Sequence, residues 1–308
     1  MRQSHAGLPA GVTVFERGWL SANNILFTGP ESAALVDSGY CTHADQTVAL
    51  VRRALGDRPL DFLVNTHLHS DHCGGNAALQ AAFSRLTTSV PPGLAQAVRD
   101  WDPVALTYEP TGQSCPRFHI EGVVEPGQHL VLGADAWEVH AAPGHDPHSV
   151  ILFEPRSRVL ISADALWENG FGVVFPELEG EQGFDDVAAT FDVIEALDPL
   201  TVIPGHGTVF SGVAAPLAIA RKRLDAYRSD PGWHAAHAAK VLLKFKLLEL
   251  QSISLEGLEE WASRTPYFNL VFARYFAGVQ RLAWLQSLVG SLVKSGAAEI
   301  IDGRIVNA

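Results

Sequence analysis

The stretch Thr66-His67-Leu68-His69-Ser70-Asp71-His72 follows the apolar run Asp61-Phe62-Leu63-Val64-Asn65 and places four side chains of metal-ligand type within six positions. Imidazole and carboxylate groups at this density suit zinc or a similar divalent metal of the first transition row. On an extended segment, His67 and His69 point the same way because they lie two positions apart. Asp71 and His72 are adjacent and diverge toward a second point, so the spacing predicts two neighbouring metal ions.

Three later segments each carry a further residue that can bind a metal ion. His145 lies in the turn Pro143-Gly144-His145, Asp164 follows the apolar run 160–163, and His206 follows the apolar run 202–204. A single residue of this kind is more often an ordinary loop residue. All three occur in order behind the dense cluster, so a shared metal site is the better interpretation.

With these residues the chain resembles the metallo-β-lactamase superfamily over about residues 12–210. The segment Leu35-Val36-Asp37-Ser38-Gly39 is also similar to the family's first motif, in which an aspartate closes an early strand. The resemblance implies an α/β fold, the αββα sandwich, with a metal site at the edge of its two sheets. It also implies the roles of the ligands: His67, His69 and His145 for one ion, Asp71, His72 and His206 for the other, Asp164 as the bridge between the ions, and Asp37 as a brace for the ligand loop.

The bridging aspartate narrows the resemblance within the superfamily. Asp164 is similar to the bridge of the glyoxalase II, lactonase and ribonuclease branches, whereas true β-lactamases lack it. His69 stands where flavodiiron proteins have a glutamate. The implied cofactor is therefore two divalent metal ions per chain, with Zn²⁺ favoured and Mn²⁺ or Fe²⁺ compatible with the same ligands.

Two such ions would lower the pKa of a shared water and polarise a substrate oxygen. Asp71 is the best candidate to orient this nucleophile or to carry a proton to the leaving group; the alternative is that it acts only as a ligand. The segment Trp167-Glu168-Asn169-Gly170-Phe171-Gly172 follows Asp164 and carries two aromatic residues. Trp167 and Phe171 are predicted to line the substrate pocket, with core-facing aromatics as the alternative.

The character of the sequence changes near Val213, which predicts a catalytic domain over 1–212 and a smaller, mostly helical domain over 213–308. Helices are expected at 214–227, 233–250, 255–263 and 274–294, followed by a hairpin that turns at Asp302-Gly303. This pattern is typical of a winged-helix-like module, which some β-lactamase-like ribonucleases and thioesterase-like relatives also carry. His234 and His237 are expected to be solvated.

Composition predicts a cytoplasmic enzyme. The start Met1–His5 is not followed by the apolar core of a signal peptide, and no apolar run is long enough for a membrane-spanning helix. Three cysteines at wide spacing, an odd number, argue against a disulfide framework.

Charge weighs against a dedicated nucleic-acid binder. The net charge is −12, divided into −16 over residues 1–212 and +4 over 213–308. The only local basic groups are Arg221-Lys222-Arg223 and Lys240, Lys244 and Lys246, and solvated helix faces are the better explanation for them.

The sequence therefore favours a dinuclear metal-dependent hydrolase that acts on a small ester, thioester or lactone, with the C-terminal helices forming one wall of the pocket. The first alternative is a phosphodiesterase or nuclease in which the C-terminal module presents RNA or DNA. The second is a persulfide dioxygenase with a single iron, which the complete set of seven ligands makes less favourable. A binding protein without activity would be expected to lack a ligand, and none is missing.

Overall fold

The computed structural model describes residues 7–308, so the start Met1–His5 lies outside the described residues. Two six-stranded sheets follow one another along the chain. The strands of the first sheet are β1 Val12–Phe15, β2 Asn24–Thr28, β3 Ala33–Val36, β4 Phe62–Val64, β5 Thr87–Val90 and β6 Gly122–Val123; those of the second are β7 His129–Leu132, β8 Asp135–Ala141, β9 Val150–Glu154, β10 Val159–Ala163, β11 Thr201–Pro204 and β12 Phe210–Ser211.

In both sheets, sequence neighbours are also spatial neighbours, since the orders are β1 to β6 and β12 to β7. Strands β3, β4, β5 and β6 run parallel to one another, and β10 runs parallel to β11. The remaining pairs within the two sheets are antiparallel. Because parallel neighbours require a crossover, helices connect them, and the loops that leave the parallel strands meet at one edge of the sandwich.

The helices of this part of the chain are α1 Ala44–Leu55, α2 Ser70–Cys73, α3 Asn76–Ala82, α4 Ala95–Asp100, α5 Tyr108–Thr111, α6 Phe175–Glu179 and α7 Gly183–Leu197. Neighbouring strand residues point to opposite faces, and this alternation separates two cores. In β10, for example, Ile161 packs between the two sheets, whereas Leu160 packs on the outer side. With α1 and α3 covering the first sheet and α7 covering the second, the layers are helix, sheet, sheet and helix, which confirms the predicted sandwich.

The C-terminal part contains α8 Ala214–Ser229, α9 Pro231–Leu250, α10 Leu255–Arg264, α11 Pro266–Tyr275 and α12 Arg281–Lys294, together with β13 Ser252–Ser254, β14 Ala298–Ile301 and β15 Arg304–Asn307. The single helix predicted over 274–294 is wrong, because α11 ends at Tyr275 and α12 begins at Arg281. Gly278 lies in the gap between them, where a flexible backbone favours a break in the helix.

The boundary between the two hydrophobic cores does not coincide with the change in sequence character near Val213. Leu217 and Leu224 of α8 belong to the same core as the outer face of the second sheet, and a separate core begins with α9. Strands β13, β15 and β14 form a small antiparallel sheet beside the last helices, and the predicted hairpin turns at Asp302-Gly303. The predicted boundary at 212 and the winged-helix-like character of the module stay predictions.

The expectation that His234 is solvated is wrong, because its side chain is only 1% exposed. It lies between Phe184 and Tyr227, and its Nε2 accepts a hydrogen bond from the backbone N–H of Val174. His237 is half-buried on the same helix. Position on a predicted helix therefore did not indicate which histidines face a neighbouring element.

Among the described residues, no helix is both long and apolar enough to cross a membrane. The three cysteines are free thiols, and two of them lie close together in spite of their wide spacing in sequence. The Sγ atoms of Cys73 and Cys115 are 3.9 Å apart.

Candidate metal centre

All seven predicted ligands meet at one edge of the sandwich, and both sheets contribute to them. Four come from the segment after β4, where His67 and His69 lie in the loop and Asp71 and His72 lie on α2. The other three follow strands of the second sheet: His145 after β8, Asp164 after β10 and His206 after β11. Their donor atoms form two groups, a first ligand group of His67, His69 and His145 and a second ligand group of Asp71, His72, Asp164 and His206.

The first ligand group brings three imidazole nitrogens to one point. The Nδ1 atom of His69 is 3.1 Å from Nε2 of His67 and 2.8 Å from Nε2 of His145. Burial lowers the pKa of His67 well below its usual value and lowers those of His69 and His145 to about 4. The three rings are therefore neutral near pH 7. The Nδ1 of His145 faces the carbonyl oxygen of Val173, so this nitrogen carries the proton and Nε2 keeps its lone pair for a metal.

The second ligand group also contains a nitrogen that lacks a hydrogen-bond partner. The Nδ1–H of His72 donates to Oδ2 of Asp37 at 2.7 Å, which leaves Nε2 buried and, among residues 7–308, without a hydrogen bond. On the other side of the group, Nε2 of His206 lies 3.0 Å from Oδ2 of Asp71. A buried nitrogen that faces carboxylates and has no hydrogen bond is the arrangement expected of a metal ligand, where a cation would replace the proton on Nε2, so these residues fit a divalent ion.

Asp164 lies between the two ligand groups. Its Oδ1 is 3.4 Å from Nε2 of His72, and its Oδ2 is 3.4 Å from Nε2 of His145 and 3.8 Å from Nε2 of His206. The backbone at position 205 leaves room for this carboxylate because the residue there is glycine. A Cβ at this position would lie 2.1 Å from Oδ1 of Asp164. The position suits a carboxylate that bridges two ions.

Local backbone geometry presents Asp164 at the end of its strand. The register of β10 shifts between Ile161 and Ala163, and Ala163 has a φ of 45°. The left-handed region is unfavourable for alanine by roughly 1–2 kcal/mol, so the surrounding structure must hold this turn in place. The strain lies directly beside the proposed bridging residue.

Asp37 braces the ligand loop in the way that the resemblance implied. Its carboxylate accepts hydrogen bonds from the N–H and hydroxyl of Thr66, at 2.9 and 2.8 Å, in addition to the one from His72. The aspartate has a φ of 58°, and its own N–H donates to the carbonyl of Val64. One buried carboxylate thus fixes both the start of the ligand loop and the tautomer of a ligand.

The carboxylates and His72 stabilise one another electrostatically. Burial alone would raise the pKa of Asp71, but the charge of His72 and the hydrogen bond from His206 outweigh it and hold that pKa below its usual value. The pKa of Asp164 is held well below its usual range against the same effect of burial, by His206 and His72. For His72, burial lowers the pKa, but Asp164, Asp37 and Asp71 together raise it well above normal. The site therefore favours ionised carboxylates and positive charge at its centre, as a cation requires.

A cavity of about 770 Å³ opens onto both ligand groups. Trp167 lines it and donates its indole N–H to Oδ1 of Asp164 at 3.2 Å. Phe171 was also predicted to line the cavity, but it does not. Its side chain is only 3% exposed and packs on Phe191 and Tyr227 in the core. Gly170, with a φ of 134°, turns the chain between the two aromatics, so they face different sides of the loop.

Two further aromatic residues at the site were not predicted. Trp19 is 59% exposed, stacks on the ring of His206 with centroids 5.5 Å apart, and meets Trp167 edge to face. Phe175 packs against His69 and His145. Neither residue has a ligand-type side chain or a diagnostic spacing, so the sequence offered no signal for them.

The outer wall of the cavity comes from elements distant in sequence. Helices α9 and α12 line it, as predicted for the C-terminal helices. The segment 102–116 contributes Thr111 and Gln113. The Oε1 atom of Gln113 accepts a hydrogen bond from Ser70, the first residue of α2, so this segment is tied to the helix that carries two ligands.

The chain is similar to proteins of one superfamily. The family model described as the metallo-beta-lactamase superfamily matches residues 17–206. A hydroxyacylglutathione hydrolase of Anaeromyxobacter dehalogenans is 32% identical over 233 residues, which cover 73% of this chain and 78% of that protein. A protein of the same name from Brucella anthropi is 26% identical over 234 residues, with coverage of 75% and 77%.

Solved structures show the same fold. A beta-lactamase domain protein from Burkholderia ambifaria aligns with a TM-score of 0.60 at 21% identity, over 98% of this chain and 93% of that one. A metallo-beta-lactamase family protein from Thermus thermophilus aligns with a TM-score of 0.55 at 18% identity, over 97% and 99% of the two chains. At these identities the likeness concerns the fold alone.

Proposed function

Since the chain belongs to the metallo-beta-lactamase superfamily and is a metal-dependent hydrolase, we propose that it uses two divalent ions to hydrolyse a small ester, thioester or lactone. The observation that carries this proposal is the position of Asp164, whose carboxylate oxygens lie 3.4 Å from Nε2 of His72 in the second ligand group and 3.4 Å from Nε2 of His145 in the first. Among the three substrate classes, a thioester is favoured, because the named relatives act on acylated glutathione.

The seven residues of the two ligand groups would hold the ions, and Zn²⁺ best suits their mixture of imidazole and carboxylate, with Mn²⁺ and Fe²⁺ as alternatives. When bound, the ions would supply an acidified water near neutral pH and Lewis-acid polarisation of the substrate carbonyl. The protein's part is to fix the ligands, which the hydrogen bonds of Asp37 and Val173 accomplish.

Asp71 is the proposed proton carrier of the reaction. Its carboxylate is nearly buried and its pKa is held low, so it is ionised at neutral pH and able to accept a proton. It also lines the cavity, where it can reach a leaving group. Trp19, Trp167 and Phe175 would bind the apolar part of the substrate and keep bulk water away from the reacting carbonyl.

The test compares turnover of metal-loaded protein on a thioester, a lactone and a chromogenic phosphodiester. We expect the carbonyl substrates to be hydrolysed at least tenfold faster than the phosphodiester, and we expect chelation to abolish turnover. Asp71→Asn should lower the rate by about a hundredfold, within the range known for general acid–base groups. Metal content measured on the same samples separates loss of a proton carrier from loss of an ion.

The other two candidate functions predict different outcomes. A phosphodiesterase would prefer the phosphodiester, and the net charge of +4 over residues 213–308 would then direct attention to the C-terminal module. A persulfide dioxygenase with a single iron would consume oxygen and contain one metal per chain. The four donors of the second ligand group support two ions instead.

A further inference from the structure

Several cations of α8 and α9 have a carboxylate partner. Arg221 pairs with Asp192 and Glu195, Arg228 pairs with Asp185, and the largely buried Lys246 pairs with Glu249. Three cations, Arg223, Lys240 and Lys244, line the cavity. Lys244 donates to the carbonyls of Ala297 and Ala308 and to Oδ1 of Asn307, whereas no side-chain carboxylate of residues 7–308 lies within 4.0 Å of Arg223 or Lys240. Two half-buried cations without counter-charges, in a chain of net charge −12, are an arrangement that requires an explanation.

The position of Arg223 is built into the loop that follows Asp164. Its guanidinium lies directly against Gly170, where an added Cβ would be 2.1 Å from Nη1. The φ of Gly170 is also one that side chains rarely adopt. This glycine therefore makes room for the guanidinium, and the arginine is held on the same loop as Trp167 and Asp164 and not extended into solvent.

Lys240 and Arg223 face a common space. His237 lies one helical turn before Lys240 and also lines the cavity. Burial lowers its pKa to about 4, and Arg223 and Lys240 both add to that shift, so both positive charges lie close to the same imidazole. Outside the ligand groups, the only acidic residue on the cavity wall is the exposed Glu168, among the residues that the structure describes.

Between these cations and the metal ligands, the wall is largely apolar. Val241, Phe245 and Leu248 of α9 line it together with Phe175. A molecule that fills the cavity would meet metal ligands and aromatic rings at one place, aliphatic side chains along α9, and positive charge beside Gly170. This sequence of surfaces suits an amphiphilic substrate with a negative charge on the part that is not hydrolysed.

We propose that Arg223 and Lys240 form an anion-binding subsite that recognises a carboxylate or phosphate group on the substrate of the hydrolase. The inference rests on the proposed function and names the substrate class more closely, as a thioester or ester with an anionic group beyond an apolar spacer. Arginine suits this role because its planar fork donates two parallel hydrogen bonds to carboxylate or phosphate. Both cations lie beyond residues 17–206, the part that the family model matches.

The test uses three thioesters of one acyl group, whose thiols are of matched length and end in a carboxylate, a phosphate or a hydroxyl. The variants are Arg223→Gln and Lys240→Gln, and Lys222→Gln is the matched control, because it removes a charge from an exposed position next to Arg223. For the metal-loaded wild-type protein we expect kcat/KM to be at least tenfold higher for an anionic thioester than for the hydroxyl one. Arg223→Gln should lower this ratio about tenfold, Lys240→Gln should lower it less, and Lys222→Gln should leave it unchanged.

Salt gives a second criterion, since raising ionic strength should lower the ratio for wild type but hardly affect it in Arg223→Gln. The comparison of carboxylate with phosphate identifies which anion the subsite prefers. A ratio near one in the wild type, or an equal loss in Lys222→Gln, would overturn the proposal.

A binding measurement separates the subsite from the hydrolytic activity. Thioether analogues of the same three molecules lack the carbonyl that is attacked, so calorimetry reports affinity without turnover. Tighter binding of the anionic analogues that disappears in Arg223→Gln supports the subsite even if no thioester is hydrolysed, in which case only the proposed function fails. Hydrolysis of all three thioesters with equal affinity for the three analogues rejects the subsite and leaves the proposed function intact.

Discussion

At the scale of single residues, the geometry of the site depends on buried side chains that each serve two neighbours. Asp37 fixes Thr66 and His72, and Asp164 faces both ligand groups. Removal of one partner from such an arrangement leaves a buried polar group unsatisfied, which costs more than the lost contact itself. A conservative change at Asp164 should therefore disturb both ligand groups.

For Asp164→Asn we expect less than two metal ions per chain and a loss of hydrolytic rate of about a hundredfold or more, because an amide is a poor bridge between cations. Metal content by mass spectrometry and turnover of a thioester are the readouts. Glu168→Gln is the matched control, since it removes an exposed carboxylate from the same cavity wall and should keep both ions. Full occupancy and an unchanged rate in Asp164→Asn would refute the bridging role.

The sequence predicted the residues that have a distinctive chemistry, and it missed those that act through shape. The seven proposed ligands lie close together in two groups, and Asp37 contacts one of them; imidazole and carboxylate groups at such offsets are a pattern that the sequence displays directly. Trp19 lies in a loop far upstream, and no local pattern connects it with His206. Phe171 was expected in the cavity and lies in the core, since the direction of a side chain in a glycine-rich loop does not follow a period.

At the scale of elements, α9 joins the cavity to the second core. Lys240 and Phe245 of this helix line the cavity, and the buried His234 near its start packs against Phe184 and Tyr227. Burial lowers the pKa of His234 to about 3. The neutral ring is thus the form that the folded protein accommodates, whereas the unfolded chain binds a proton near pH 6.5.

Acidification should lower the free energy of unfolding through His234. The folded pKa of His234 is below the unfolded one, so its neutral form is accommodated fully above about pH 6.5, and stability falls as pH drops from there toward about 3. Between pH 7 and pH 5 this residue alone should cost about 2 kcal/mol.

Urea unfolding at the two pH values should show that His234→Gln, which keeps an acceptor for the N–H of Val174, loses less stability on acidification than the wild type. His129→Gln, at an exposed position, is the control and should behave as the wild type does. An identical pH dependence in wild type and His234→Gln would contradict this account.

Most C-terminal helices were predictable from periodicity, but α11 at Pro266–Tyr275 was not expected, and helix ends and partners were not predictable. The pattern over 274–294 stays apolar across Gly278, and only the structure shows that α11 ends and α12 begins on either side of it. Likewise, α8 is amphipathic in sequence, and nothing in that pattern indicates that its apolar face packs on the second sheet. An apolar stripe specifies that a helix is covered and leaves its partner unspecified.

At the scale of the whole molecule, each ligand group joins the two sheets. In the first group, His67 and His69 follow a strand of the first sheet and His145 follows a strand of the second; the second group is divided in the same way. The sandwich and a metal site at its edge were predictable because the resemblance implied both. The division of the hydrophobic cores near α8 and α9 depends on tertiary packing and was not predictable.

Because both groups join the sheets, metal binding should stabilise the folded protein by an amount set by mass action. With free metal about a thousandfold above its dissociation constant, the stabilisation is about 4 kcal/mol per site. Calorimetry with and without a chelator should show a fall in Tm of several degrees or more on metal removal. The fall should be smaller for Asp164→Asn. Equal Tm values for loaded and stripped wild type would show that the ions do not join the sheets.

The order of strands has one more consequence. Each sheet is built from one continuous segment of the chain. Residues 12–123 form the first sheet and residues 129–211 form the second, with a short connection at 124–128 between them. The first segment carries His67, His69, Asp71 and His72, and the second segment carries His145, Asp164 and His206. Two fragments divided at that connection would each hold an incomplete set of donors, so hydrolysis would return only when the fragments reassemble. The rate of hydrolysis would therefore measure how much of the two fragments has reassembled.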